Sequence, residues 1–163
     1  MDCIFFQGGN VMKSYEINTG TMCLMQLKNG NTKVIERNMS YEVFNNIHKI
    51  VDESCRSFGS SLLGRLAGTT KLTGIRYKAP VILSEELSII LLPTGSTRGE
   101  TCHWLSLYSI KGYNEEAQGS IVELINGEKI HLEISKFVLQ NQISKAIRLE
   151  HWLKCHNNEQ NRY

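Results

Sequence analysis

Two Asn-Gly dipeptides, Asn29-Gly30 and Asn126-Gly127, each stand between runs of alternating apolar and polar residues. Asn-Gly in that setting is the strongest short-range hairpin signal, because a type I′ turn needs positive φ at both central positions. Around the second dipeptide, Val122, Leu124, Ile130, Leu132 and Ile134 form one apolar face, opposed by Glu123, Lys129, His131 and Glu133. Antiparallel strands over 120–125 and 128–134 follow. The first dipeptide predicts strands over 21–28 and 32–37, preceded by a strand over 15–18. Apolar runs at 80–84, 88–92 and 103–110 predict three more. Pro80 and Pro93 then sit at strand ends, where a missing N–H does least harm.

Helical spacing interrupts the strands twice. Phe44, Ile47, Ile50, Val51, Ser54 and Cys55 recur at a 3.6-residue period, and Phe58 continues the stripe. This predicts a helix over 41–57, with Ser40 as its N-cap and Gly59 just past its end. A serine-capped second helix over 60–68 is expected to be short or irregular, since each interior glycine costs about 1 kcal/mol relative to alanine. A helix, a glycine-containing turn and a helix fit either a helix-turn-helix or a plain packing pair. After Ser135, a third helix carries Phe137, Leu139, Gln140, Ile143, Ala146, Ile147 and Leu153 on one face and ends near Cys155. A short polar tail, about 157–163, remains. The fold class is α+β: one domain over 1–163, with antiparallel hairpins, a central helical segment and a C-terminal helix.

Composition excludes several classes. With 41% hydrophobic and 21% charged residues the chain is neither disordered nor of low complexity. No apolar run approaches the length of a membrane span, and the N-terminus lacks the basic region of a signal peptide, so a cytoplasmic protein without a membrane partner is expected. Five scattered cysteines, with no C-x-x-C and no H-x-x-x-H, predict reduced thiols and neither a disulfide framework nor a metal site.

Charge is the informative feature. The net charge of +2 comes from residues 56–84, where Arg56, Arg65, Lys71, Arg76 and Lys78 occur without a single acid. Serines, threonines and glycines are interspersed, and these let a backbone approach a phosphate closely. Nucleic-acid contact, a solvated face and a small phosphorylated ligand all fit that composition. A P-loop is excluded, and no cofactor motif is present.

The stretch Ile50 to Thr69 reads IVDESCRSFGSSLLGRLAGT. It resembles the signature of the competence transcription factor family ComK, I-V-D-x-S-C-R-x-F-G-S-S-x-x-G-R-x-A-G-T. Lys78-Ala79-Pro80-Val81, then Leu92-Pro93-Thr94 with Ser96-Thr97-Arg98, then Trp104, the Asn126-Gly127 hairpin and Asn141-Gln142 also resemble that family, over residues 12–153 in all. The resemblance implies a sequence-selective DNA-binding activator of DNA-uptake genes. Such a protein would read A/T-rich promoter boxes of double-stranded DNA, chiefly through the minor groove, as a homo-oligomer, with RNA polymerase as a further partner. It would be neither an enzyme nor cofactor-dependent. Arg56, Arg65, Lys71, Arg76, Lys78 and Arg98 are the candidate groove and phosphate contacts, because a narrow A-tract minor groove favours inserted cations. Ser60, Ser61 and Thr69 are candidate phosphate hydrogen-bonders. Arg56 equally suits an ion pair with Asp52, one helical turn earlier.

Longer members of the family continue past the last helix with a charged tail, whereas this sequence stops at Tyr163. A short member with altered tail-dependent control is therefore expected. Two rival readings stand beside the first. One is a short paralogue that titrates a regulator or a proteolytic adaptor; the other is a thiol hydrolase built on Cys102 or Cys55 with a histidine.

Overall fold

The computed structural model describes residues 4–6, 9–97 and 101–162, with side chains from Val11 onward. The first half of the chain forms β1 (Ile4–Phe6), β2 (Gly9–Met12), β3 (Thr21–Gln26), β4 (Thr32–Glu36), β5 (Ser40–Val43), α1 (Ile47–Ser57) and α2 (Leu62–Thr73). The second half forms β6 (Val81–Ser84), β7 (Ile89–Pro93), β8 (Trp104–Ser106), β9 (Ile110–Glu116), β10 (Gly119–Leu124), β11 (Lys129–Leu132) and α3 (Lys136–Gln160). The architecture is α+β, as the hairpin and helix signals predict.

A large sheet runs β1-β2-β5-β4-β3-β8-β7-β6, and a small one runs β11-β10-β9. All of these pairings are antiparallel except β2 with β5. The large sheet is the middle layer. Alternate residues of its strands point to opposite faces, and both faces are covered. Leu24, Val34, Leu83, Leu91 and Trp104 meet Ile47, Ile50, Val51, Cys55 and Leu62 from α1 and α2. Cys23, Ile35, Ile82, Leu92 and Leu105 meet Val122, Leu132, Leu139, Ala146 and Leu149 from the small sheet and α3. Burial on both sides explains why β7 is apolar at every position. α2 lies along the β6 edge, with Leu62 and Leu66 in the first core and Leu72 in the second. The edge that would otherwise template another strand is thereby protected.

Both Asn-Gly hairpins form, with a different turn from the one expected. Gly30 (φ 86°) and Gly127 (φ 88°) take positive φ, but the preceding asparagines do not. Gly30 N–H donates to Leu27 O at 3.1 Å and Leu27 N–H to Asn31 O at 2.9 Å; Leu124, Gly127 and Glu128 repeat this pattern. These are three-residue loops, a type I turn closed by a glycine bulge. The asparagine side chains accept the Asn31 and Glu128 N–H groups.

Several boundaries move. Residues 40–43 are not the first turn of a helix but β5, whose Val43 pairs with Thr32. The N-cap of α1 is accordingly Asn46, which accepts from Lys49 N–H at 2.8 Å, and Phe44 is left 58% exposed. Residues 15–18 join no sheet; Ile17 N–H donates to Ser54 Oγ instead. The run over 103–110 breaks after β8 into a 3-10 turn, from which β9 enters the other sheet. β9 carries little apolar signal because much of it faces water. In α3 the buried positions are Leu139, Gln142, Ala146 and Leu149, while Phe137 and Ile147 turn to solvent. Ser135 does cap α3, accepting from Val138 N–H, and the helix continues to Gln160.

His103 ties β8 to β3, its Nδ1 accepting the Gln26 N–H at 3.0 Å. Burial pushes this imidazole below the ordinary histidine value of 6.5. The folded state therefore prefers the neutral ring. Its stabilising contribution is complete above the ordinary value and is lost as pH falls through it, because the unfolded chain takes up the proton first. The decline stops once the folded imidazole is protonated as well. Unfolding midpoints measured between about pH 7.5 and about pH 5 should fall less steeply for His103→Gln than for the unaltered chain. Equal slopes would remove His103 from the acid response.

Candidate nucleic-acid interface

The acid-free segment folds into the end of α1, the whole of α2, the loop 74–80 and β6, and its cations do not share one role. Arg56 is exposed and pairs with Asp52, Nε to Oδ2 at 2.9 Å. Asp52 Oδ1 accepts the Leu62 N–H at 2.8 Å. The Arg56 and Leu62 donors hold the Asp52 carboxyl below the usual carboxylate range. Arg65 turns inward, and its Nη2 donates to Phe58 O at 2.8 Å. A guanidinium on the carbonyl of the cap residue of α1 complements that helix's negative end. Arg65 is thus a staple of the α1–α2 turn.

The hydroxyls divide similarly. Ser61 is the N-cap of α2, accepting from Gly64 N–H at 3.0 Å. Ser60 lies against Gly64, where an added Cβ would come within 2.4 Å of its Oγ. Thr69, expected to face phosphate, is instead buried, and its hydroxyl donates to Pro80 O at 2.8 Å. The i+4 recurrence that keeps α2 on the β6 edge carries Thr69 inward with it, so its hydroxyl serves the fold. Arg98 lies outside the described residues.

What remains outward lies on α2 and in the loop after it. α2 exposes Leu63 (79%), Gly64, Ala67, Gly68 and Lys71. The chain then reverses at Gly74 (φ 75°) and presents Arg76 and Tyr77 to solvent. Lys78 follows at φ 46°, with its ammonium 5.4 Å from the centroid of the Tyr77 ring.

Two cations that sequence reading missed join this group from α3. Lys145 Nζ donates to Tyr77 O at 2.8 Å, and Arg148 Nη2 donates to Thr73 O. Burial, helped by the nearby Lys78 charge, pushes Lys145 below the ordinary lysine value. Between the loop and α3 lies a groove of about 420 Å³ lined by Tyr77, Lys78, Asn141, Ser144, Lys145 and Arg148. None of Lys71, Arg76, Lys78, Lys145 and Arg148 forms an ion pair among the described residues. Lys145 and Arg148 belong to a stretch whose acids outnumber its bases, so only their i, i+3 spacing on the polar side of α3 marked them.

The thiols have the opposite character. Burial pushes the Cys23 thiol up to about 12 and the Cys55 thiol to about 11, and raises Cys102 as well. A nucleophilic cysteine needs a lowered value. Among the described residues no group of three or more potential ligands could hold a metal ion, and no helix is long and apolar enough to cross a membrane.

These features define an α+β protein whose distinguishing surface is a cationic groove between the loop after α2 and α3, its cations forming no ion pair among the described residues. The chain belongs to the ComK family: the family model, described as ComK protein, matches residues 12–157. It is 33% identical over 147 residues to the competence transcription factor of Bacillus subtilis (strain 168), covering 88% of this chain and 74% of that protein. No solved structure matches.

Proposed function

We propose that this protein is a DNA-binding transcription regulator of competence genes, an activator in the cytoplasm that engages A/T-rich duplex through the minor groove and the phosphates. The observation that carries the reading is the gathering of Lys78, Lys145 and Arg148 along one groove, with exposed Arg76 in the same loop, none of them in an ion pair among the described residues. Lys145 and Arg148 also bond loop carbonyls, but no acid among the described residues balances the four charges, and a polyanion would. Family membership supports the same reading, since a relative in that family is a competence transcription factor. A protomer of net charge +2 gains affinity by sharing one site with a second copy, which favours an oligomer on DNA.

The test is fluorescence anisotropy against A/T-rich and G/C-rich duplexes of equal length at two salt concentrations. Five phosphate contacts give a log–log salt slope of about −4 to −5 per protomer. Absence of binding at low salt would refute the reading.

The exposed face of α2 adds a second expectation. Gly68 is a mid-helix glycine whose added Cβ would meet nothing within 4 Å. The fold therefore does not require it, although it costs about 1 kcal/mol of helix stability relative to alanine. Close approach of the sugar–phosphate wall would require it. Gly68→Ala should raise the melting temperature by about 2–4 °C and weaken duplex binding. A stabilised variant with unchanged affinity would take the middle of α2 out of the contact.

A further inference from the structure

We propose that the loop Gly74–Ala79 is the element that enters the DNA groove, with Arg76 and Lys78 as the inserted cations and Gln142 as the residue that positions them. This rests on the DNA-binding reading above and goes further, assigning the discrimination between sequences to one loop.

Connecting loops ordinarily have few internal bonds, but this one is strapped along its length. Thr73 O accepts from Arg148, Tyr77 O from Lys145, and Lys78 O from Gln142. Thr70 Oγ1 bonds Ile75 O at 2.9 Å, and Ile75 N–H bonds Thr73 Oγ1 at 3.1 Å. Ile75 and Ala79 are buried at its two ends, so Arg76 and Tyr77 arch outward between fixed points. A cation held this way enters a groove without first losing backbone freedom, which is the advantage of preorganisation.

Lys78 supplies the second line of argument. Its left-handed backbone is one that glycine adopts freely and a lysine does not. At the other end of the loop Gly74 meets the same requirement in the ordinary way. A lysine at position 78 therefore puts charge where backbone geometry alone would select glycine, and strained non-glycine residues concentrate at functional positions.

Gln142 fixes where that charge points. It is 2% exposed, and its amide donates to Lys78 O at 2.8 Å and to Pro93 O at 2.7 Å. The far end of the loop is thereby tied to the last residue of β7, inside the rigid middle layer. Being neutral, it sets geometry and adds nothing to the attraction for phosphate. An A-tract minor groove is narrow and strongly negative, so two cations on a fixed arch distinguish it from a wider G/C groove without base-specific hydrogen bonds.

The experiment compares Lys78→Gly, Arg76→Ala, Gln142→Met and Lys71→Ala for affinity to A/T-tract and G/C duplexes of equal length, with folding checked by near-ultraviolet circular dichroism. Lys78→Gly keeps the left-handed backbone and removes the side chain with its charge and its contact to the Tyr77 ring. It and Arg76→Ala should each lower the A/T-to-G/C affinity ratio about tenfold. Lys71→Ala should weaken both duplexes alike. Gln142→Met should lower the ratio with the salt slope unchanged, a result that loss of charge would not produce. If Lys78→Gly and Arg76→Ala weaken both duplexes equally, the loop meets only phosphates and the inference is wrong, while the DNA-binding reading stands. If the unaltered chain binds neither duplex at low salt, both readings fall together.

Discussion

Replacing Lys71 and Arg76 together by glutamate should lower affinity for duplex DNA about a thousandfold near 0.1 M salt, with the fold intact. Each neutralised phosphate releases close to one counterion, worth about one decade in binding at that salt concentration. Reversing a charge removes that contact and adds a repulsion, so two reversals cost about three decades or more, and the salt slope flattens by about two units. Stability should be nearly unaffected, because both side chains are exposed and neither forms an ion pair among the described residues. Arg65→Met makes the contrast. Its guanidinium bonds the Phe58 carbonyl at the α1–α2 turn, so its loss should appear in the unfolding free energy, by about 1–2 kcal/mol, and leave the salt slope alone. Anisotropy titrations and urea unfolding on the same samples separate the two effects. Should Arg65→Met change the slope while the double reversal does not, the contact surface would lie on the α1–α2 turn.

Trp104→Ala should destabilise the protein by about 3–5 kcal/mol. Trp104 is 2% exposed and sits in β8, where it pairs with Leu24 on one side and Pro93 on the other. Its indole fills the first core beneath α1, and removing it leaves a cavity that neighbours held by two strand ladders cannot close. A domain of this kind has only about 5–15 kcal/mol in all, so much of the margin would go. The urea midpoint should drop with the m-value unchanged, and DNA affinity per folded molecule should be retained. A loss below about 1 kcal/mol would mean that the site collapses freely, against the tight packing of native cores.

Local chemistry was legible wherever a residue acts on its own neighbours. Asn29-Gly30 and Asn126-Gly127 mark both hairpins, since only glycine takes the left-handed position cheaply, although the turn that closes them is the bulged type I form. Ser61 and Ser135 cap the helices their positions imply, because a cap bond spans only three residues. The local pattern misleads where a long-range partner outweighs it. The apolar spacing from Phe44 onward extends a helix on paper, but the backbone of 40–43 is paired by β4 and β2, so the helix starts at Ile47 with Asn46 as its cap. On α3 two apolar stripes compete, and only docking against β7 and β10 selects one, leaving Phe137 and Ile147 in solvent.

What the order of residues determined alone was the α+β class, the family and the existence of an acid-free cationic segment. Each rests on residue identity or on interactions spanning a few positions. Which cations face outward was decided only in three dimensions. Packing α2 against the β6 edge turned Thr69 and Arg65 inward and left Lys71 outside, and α3 brought Lys145 and Arg148 beneath a loop 68 and 75 residues away in the chain. The physical reason is one of range: hydrogen-bonding and turn propensities act along the backbone, whereas a surface charge cluster is made by helices docking on a sheet.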